Sequence, residues 1–206
     1  MSLPKLLNLP TAYGCGCNSG QPVSNLRRKV IKIAAAGMVV PWVLTGNLAQ
    51  AAIVSSAIAS GDCLVEDDAQ GAPVPLKAAD LRVGKPMVAY PFDAKSAVVR
   101  NDSRLNKIIL LKLPEGDMDA ATKARSAGGV IAYSAICTHQ ACDAKTWLPK
   151  EKALVCFCHS SKFLVLENGA VANGPATRSL PSIALALNGD LLVIAGAFSA
   201  PPGTGA

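Results

Sequence analysis

The sequence contains few aromatic residues and only two histidines, and no acidic residue precedes Asp62. Aromatic residues make up 4% of the 206 residues and apolar residues 50%, so a folded core must consist mainly of Val, Ile, Leu and Ala. Such residues are sufficient for the core of one domain of about 130 residues, and the chain is too short for two full domains.

The absence of acidic residues from the N-terminal part explains the net charge of +6. Five basic residues precede residue 61, whereas the rest of the chain has 15 basic and 14 acidic residues. The basic excess therefore belongs to the N-terminal segment and does not form a basic face on the folded domain. No nucleic-acid partner is expected.

The N-terminal segment has the composition of an export signal. Residues 1–24 lack periodicity and are predicted to be a flexible leader. The stretch Leu26-Arg27-Arg28-Lys29-Val30-Ile31-Lys32 resembles a twin-arginine signal, and residues 33–61 carry no charge. Residues 25–60 are therefore predicted to be a signal or a transmembrane helix, with the N-terminus in the cytoplasm.

Two fates of this segment remain open. It can stay as a membrane anchor, or it can be cleaved after Ala49-Gln50-Ala51, which has the small-x-small pattern of a cleavage site. In both cases the rest of the chain crosses the membrane. We expect the folded domain on the periplasmic side of a bacterial cytoplasmic membrane.

Beyond this segment the pattern predicts an all-β domain at 83–198, preceded by a linker at 61–82 and followed by a disordered tail at 199–206. Short apolar runs between turn signals predict strands near 86–90, 107–113, 129–136, 153–158, 183–187 and 191–195. Asn168-Gly169 and Asn188-Gly189 are typical of tight hairpin turns. Residues 115–128 are predicted to form a loop with a short helix at 120–127.

Four of the seven cysteines and both histidines fall between residues 137 and 159. They form a Cys137-x-His139 pair and a Cys156-x-x-His159 pair, which can place two turns on opposite sides of one site. Two thiolates and two imidazoles are suited to a structural zinc ion or to an iron–sulfur centre. A pair of ordinary disulfides is a further alternative.

The pattern Cys-Thr-His-x-x-Cys followed by Cys-x-Cys-His-x-Ser resembles the Rieske iron–sulfur subunits of cytochrome bc and bf complexes and of arsenite oxidase. The resemblance covers about residues 80–198 and is sharp from Cys137 to Pro181. It implies a base domain of antiparallel strands with an inserted cluster-binding subdomain at about 132–181. It also implies a 2Fe–2S cluster held by Cys137, His139, Cys156 and His159.

The resemblance implies further roles around the cluster. Cys142 and Cys158 would form a disulfide between the two ligand loops, and Gly174-Pro175 would belong to a proline-bearing loop over the cluster. Ser161 matches a serine that donates a hydrogen bond to a bridging sulfide. This sequence departs from the quinol-oxidising pattern at other positions, where Gln140 replaces Leu, Phe157 replaces Pro, Ser160 replaces Gly and Phe163 replaces Tyr. Because Phe163 cannot donate to a ligand sulfur, we expect a lower potential than in the highest-potential relatives.

The expected function is one-electron transfer by the iron–sulfur subunit of an oxidoreductase, not catalysis by this chain alone. The expected partners are a larger redox subunit, either a cytochrome b or a molybdenum-cofactor subunit, and a cytochrome c-like acceptor, with quinol as a further candidate donor. The alternative is a zinc-binding module without a redox role. An oxygenase is excluded because no histidine remains for a mononuclear iron site.

Overall fold

The computed structural model describes residues 57–67 and 71–204. In this part of the chain β-strands predominate, and the only α-helix, α1 (Ala120–Lys123), is a single turn. The strands are β1 (Cys63–Glu66), β2 (Met87–Asp93), β3 (Val98–Val99), β4 (Ile108–Lys112), β5 (Val130–Ser134), β6 (Thr146–Leu148), β7 (Ala153–Cys156), β8 (Ser161–Leu164), β9 (Ala170–Asn173), β10 (Ser182–Asn188) and β11 (Leu191–Phe198). Two 3-10 turns occupy Arg104–Asn106 and Glu115–Asp117. The all-β prediction is confirmed.

The larger sheet closes on itself. Its strands follow the order β1-β11-β10-β5-β4-β2-β3, and β1 also pairs with β2. Six strands therefore form a barrel, to which β3 is added through β2. All of these pairings are antiparallel.

The second sheet is an antiparallel meander of β6, β7, β8 and β9. It is inserted in the chain between β5 and β10, which are neighbours in the barrel. The insertion agrees with the subdomain expected at about 132–181. The chain therefore leaves the barrel at β5 and returns to it at the neighbouring strand β10.

The barrel strands β4 and β5 bury side chains on both faces. Ile108 and Leu110 pack in the barrel core with Leu64 and Leu192. The alternate residues Ile109 and Leu111 pack instead in a second core, which contains residues of the inserted sheet such as Leu154, Phe163 and Val165. Because successive side chains point to opposite faces of a strand, a strand buried on both faces has a continuous apolar sequence.

The two predicted hairpin turns are present. Asn168 and Gly169 have φ angles of 49° and 71° between β8 and β9. Gly189, with φ of 63°, lies between β10 and β11. Asn and Gly tolerate these left-handed conformations, which match the twist of the paired strands.

The structure differs from the predicted linker at 61–82. Cys63–Glu66 form β1 of the barrel, and Leu76 and Leu81 are buried in its core. Asp62 is also buried, where it accepts hydrogen bonds at 2.8 Å from Arg100 Nε and the Ala59 N–H. Local composition does not reveal these contacts, because Asp62 and Arg100 are distant in sequence, as are Leu76 and Leu81 and the barrel strands against which they pack.

The structure also differs from the predicted disordered tail at 199–206. Ser199 exchanges hydrogen bonds with Ser182, and Gly203 is buried. These contacts join residues that are distant in sequence, which local composition does not reveal. The leader at 1–24 and nearly all of the signal or anchor at 25–60 lie outside the described residues. Among residues 57–67 and 71–204, no helix is long and apolar enough to cross a membrane.

Candidate metal centre

The first ligand loop follows β5 and contains Cys137 to Cys142. The Cys137 N–H donates to the Cys142 carbonyl at 2.7 Å, and the Ala141 N–H donates to the Cys137 carbonyl at 3.0 Å. Ala141 has a φ of 53°, which allows the chain to turn back sharply. Cys137 and Cys142 are therefore held side by side at the base of a closed turn.

The second ligand loop connects β7 to β8 and contains Cys156 to Ser161. Cys156 and Ser161 are the last residues of β7 and β8 that pair with each other, so the loop begins where the strand pairing ends. Burial raises the pKa of the Cys156 thiol, while backbone N–H groups of Cys158 and His159 that donate to its sulfur act in the opposite direction. These two N–H groups would stabilise a thiolate, which is the form that binds metal.

The structure places the four predicted ligands in two close pairs, His139 with His159 and Cys137 with Cys156. Nδ1 of His139 lies 3.2 Å from Nδ1 of His159, and the two rings are nearly perpendicular. The Cys137 thiol approaches the Cys156 thiol closely enough to raise its pKa further. Cys137 and Cys156 are only 1% and 2% exposed, whereas His159 is exposed and His139 is partly exposed. The sulfur side of the site is thus buried and the imidazole side is at the surface.

A disulfide joins the two loops. Cys142 and Cys158 are bonded with a Cα–Cα distance of 6.5 Å, and the predicted pairing is confirmed. The sulfurs of both cysteines and of Cys156 lie within 4.8 Å of one another. The bond therefore fixes the separation of the loops beside the Cys156 sulfur, one of the predicted ligands.

A third loop, residues 174–181 between β9 and β10, covers the second ligand loop. Gly174 has a φ of 93°, and a Cβ added there would lie 2.5 Å from Ser161 Cα. The Ala176 N–H donates to Ser161 Oγ at 3.3 Å, which leaves the proton of this buried hydroxyl available to another acceptor. Thr138 Oγ1 in the first ligand loop donates to the carbonyl of Arg178 at 2.8 Å. The third loop therefore contacts both ligand loops.

This donor set fits a metal centre. Two nitrogen ligands at about 2.0–2.1 Å from one tetrahedral metal ion lie roughly 3.3 Å apart, close to the observed distance of 3.2 Å between the Nδ1 atoms. Two nearby thiols and two facing imidazoles suit a cluster in which the two kinds of ligand bind different irons. The same donors suit a single zinc ion, so the geometry of the four residues leaves both centres possible.

The fold and the donor set together define a protein with a candidate metal centre at the loops of an inserted sheet. Residues 73–184, more than half of the chain, match the sequence model of the Rieske [2Fe-2S] domain. The chain belongs to this family. Its cofactor is therefore a 2Fe–2S cluster and its role is one-electron transfer.

The relatives include subunits of respiratory complexes. The chain is 29% identical over 133 residues to the cytochrome bc1 complex Rieske iron–sulfur subunit of Streptomyces lividans, covering 63% of this chain and 78% of that protein. The match to the corresponding Streptomyces coelicolor subunit covers only 38% of that protein. The chain is 34% identical over 88 residues to a candidate Rieske subunit of a respiratory nitrate reductase from Haloferax mediterranei, covering 42% of this chain and 39% of that protein.

Among solved structures, the chain is similar to the soluble domain of Rieske protein II from Sulfolobus acidocaldarius. The match has 21% sequence identity and a TM-score of 0.38, and it covers 47% of this chain and 64% of that chain.

The remaining predicted site residues have different environments. Ser161 is 1% exposed beside the ligands and Phe163 is fully buried in the core beneath them. Gln140, Gly174 and Pro175 are exposed at the surface of the loops. Sequence reasoning missed the contacts of Thr138 and Arg178. Thr138 lies inside the motif, but Arg178 carries no local signal.

Proposed function

We propose that Cys137, His139, Cys156 and His159 are the cluster ligands and that this chain is the electron-transfer subunit of a membrane-associated respiratory oxidoreductase. The observation that carries the proposal is the approach of the two imidazoles at the surface above two buried cysteines. When bound, the 2Fe–2S cluster takes up and releases one electron. The chain's own residues hold it, shield one side and leave the other accessible.

Each group has a distinct task in this proposal. Cys137 and Cys156 provide the buried anchor, because their position beneath the loops excludes water from the sulfur side. The N–H groups of Cys158 and His159 stabilise negative charge on the Cys156 sulfur. His139 and His159 form the accessible side, so a partner exchanges electrons across the imidazole face.

Substitution of the ligands tests this assignment. We expect His139→Ala, His159→Ala, Cys137→Ala and Cys156→Ala to lose iron and acid-labile sulfide, together with the visible absorption and the reduced-state paramagnetic signal. Cys63→Ala is the matched control, since Cys63 is equally buried but lies in β1 of the barrel. If the two histidine variants kept their full iron content and absorption, the ligand set would be wrong.

The proposed partners are a larger redox subunit and a cytochrome c-like acceptor. The bc1 relatives favour a cytochrome b partner with quinol as the donor, whereas the Haloferax relative favours a reductase complex. Gln140 and Phe157, at positions where quinol-oxidising subunits have Leu and Pro, lie on the exposed loops. Affinity purification of the full chain from its membranes distinguishes the two arrangements, because a b-type haem spectrum in the purified complex supports the bc1 type.

The proposed location is the periplasmic side of the cytoplasmic membrane, reached by the twin-arginine route. The stable disulfide beside the cluster supports this, because such bonds persist in oxidising compartments. Replacing Arg27 and Arg28 with lysine is expected to retain the protein in the cytoplasm, as measured by cell fractionation. The control is Lys29→Arg, which also exchanges one basic residue for another but leaves the arginine pair intact. Undiminished export of the double variant would contradict the proposed route.

A further inference from the structure

The C-terminal residues 201–204, here called the C-terminal strap, pack against the first ligand loop. After β11 the chain is tied to the start of β10, where the Ser199 N–H donates to the Ser182 carbonyl at 2.8 Å. Gly203 is then buried at a φ of 70°, and a Cβ added there would lie 3.4 Å from Ala141 Cβ and 3.5 Å from Ile136 Cγ2. The strap thus lies at van der Waals distance from the turn that carries Cys137 and His139.

Arg178 joins the strap to the third loop. Its Nη2 donates to the Gly203 carbonyl at 2.7 Å. Its own carbonyl accepts the hydrogen bond from Thr138 Oγ1 at 2.8 Å. One residue therefore links three segments that are far apart in sequence: the first ligand loop, the third loop and the strap.

We propose that Arg178 is a positioning residue that, together with the C-terminal strap, holds the first ligand loop in its metal-binding conformation. The inference rests on the proposed ligand set. The disulfide fixes the loop at Cys142, on its C-terminal side, whereas Thr138 stands between Cys137 and His139. The bond from Thr138 to the Arg178 carbonyl thus restrains the part of the loop between these two ligands, and the Arg178 side chain ties that carbonyl's segment to the strap.

The bond from Arg178 to Gly203 has a charged donor, and such bonds are stronger than those between neutral groups. Its loss frees the strap and lets the third loop move away from Thr138. The first ligand loop then samples more open conformations, from which a chelator can remove iron. We expect cluster loss to become roughly tenfold faster, the change that follows from weakening one charge-assisted hydrogen bond.

The test uses the full chain with its cluster in two perturbed forms, Arg178→Gln and a truncation after Ala200. Arg82→Gln is the matched control, because Arg82 is exposed and lies in the loop before β2, and a truncation after Thr204 controls for shortening the chain. The rate of bleaching in the presence of a chelator and the reduction potential are measured for each form. We expect both perturbed forms to bleach about tenfold faster and to shift the potential, with no additive effect when they are combined.

Thr138 provides a second test through its hydroxyl. Thr138→Val is expected to bleach faster and to shift the potential in the same direction as Arg178→Gln, whereas Thr138→Ser restores the parent values because it keeps the donor. Unchanged bleaching and potential in Arg178→Gln and in the truncated form would overturn the proposal. We expect these forms to keep full iron content when first purified, so that outcome would leave the ligand assignment intact. An error in the proposed ligand set would appear instead as His139→Ala and His159→Ala variants that keep the iron content of the parent.

Discussion

Substitution of Gly174 with alanine tests how closely the third loop must approach the second ligand loop. The added Cβ would lie 2.5 Å from Ser161 Cα, 2.7 Å from Ser161 N and 2.9 Å from the Ser160 carbonyl oxygen. All three are backbone atoms, so no side chain can rotate away to make room. One of the two loops has to move.

The expected cost has two parts. A non-glycine residue at a φ of 93° is strained by about 1–2 kcal/mol. Overlap with the Ser160–Ser161 backbone adds about 1–3 kcal/mol, the range typical of overpacking. Gly189→Ala separates these parts, because Gly189 also has a positive φ of 63° but no atom lies within 4 Å of its added Cβ.

We therefore expect Gly174→Ala to lower the free energy of unfolding by about 1–3 kcal/mol more than Gly189→Ala does. The same variant should lose iron, because the displaced loop contains Cys156 and His159. Urea denaturation followed by circular dichroism, with iron analysis of the purified proteins, measures both effects. Equal destabilisation by the two substitutions, with full iron content in Gly174→Ala, would refute the close approach.

Three other substitutions probe separate interactions. Ser161→Ala is expected to lower the reduction potential, by about 40 mV if the lost hydrogen bond favours the reduced state by about 1 kcal/mol, and protein-film voltammetry would detect this. Replacing Cys142 and Cys158 with alanine removes a cross-link over 16 residues and is expected to lower the free energy of unfolding by about 3 kcal/mol, as measured by urea denaturation. Added reductant should not change the stability of this double variant. Burial raises the pKa of Tyr133 to about 12, so the folded state holds its proton more tightly than the unfolded state. Stability should therefore fall as pH rises from about 10 to 12, by about 2–3 kcal/mol in all, and Tyr133→Phe should remove this slope in denaturation curves measured at several pH values.

The predictable part of this structure is set by short-range sequence. The hairpin turns at Asn168-Gly169 and Asn188-Gly189 were predicted because only a few residues adopt the left-handed conformations that these turns require. The disulfide between Cys142 and Cys158 and the cofactor were predicted from the resemblance of one motif. The ligand assignment stays a prediction, although the structure pairs His139 with His159 and Cys137 with Cys156.

The part that could not be predicted depends on contacts between distant segments. The pairing of β1 with β2 and β11 could not be predicted, because Cys63–Glu66 is a four-residue strand whose partners are distant in sequence. Residues 201–204 contain Pro201, Pro202 and Gly203, a composition typical of disorder. They are ordered because an arginine side chain and two loop residues meet them in space.

The burial of the site indicates how its redox partner is selected. With Cys137 and Cys156 almost fully buried, a partner cannot approach from the sulfur side without unfolding the loops. Under the proposed ligand assignment, we therefore expect electron exchange across the face that contains His139 and His159. Phe157 lies on the same loop as His159 and is 73% exposed, so its ring is available to whichever surface approaches that face. Since aromatic residues often dominate binding energy at interfaces, a phenylalanine at this position should influence which partner binds. The departures from the quinol-oxidising pattern therefore bear on the choice of partner, while the buried half of the site determines whether the cluster is held at all.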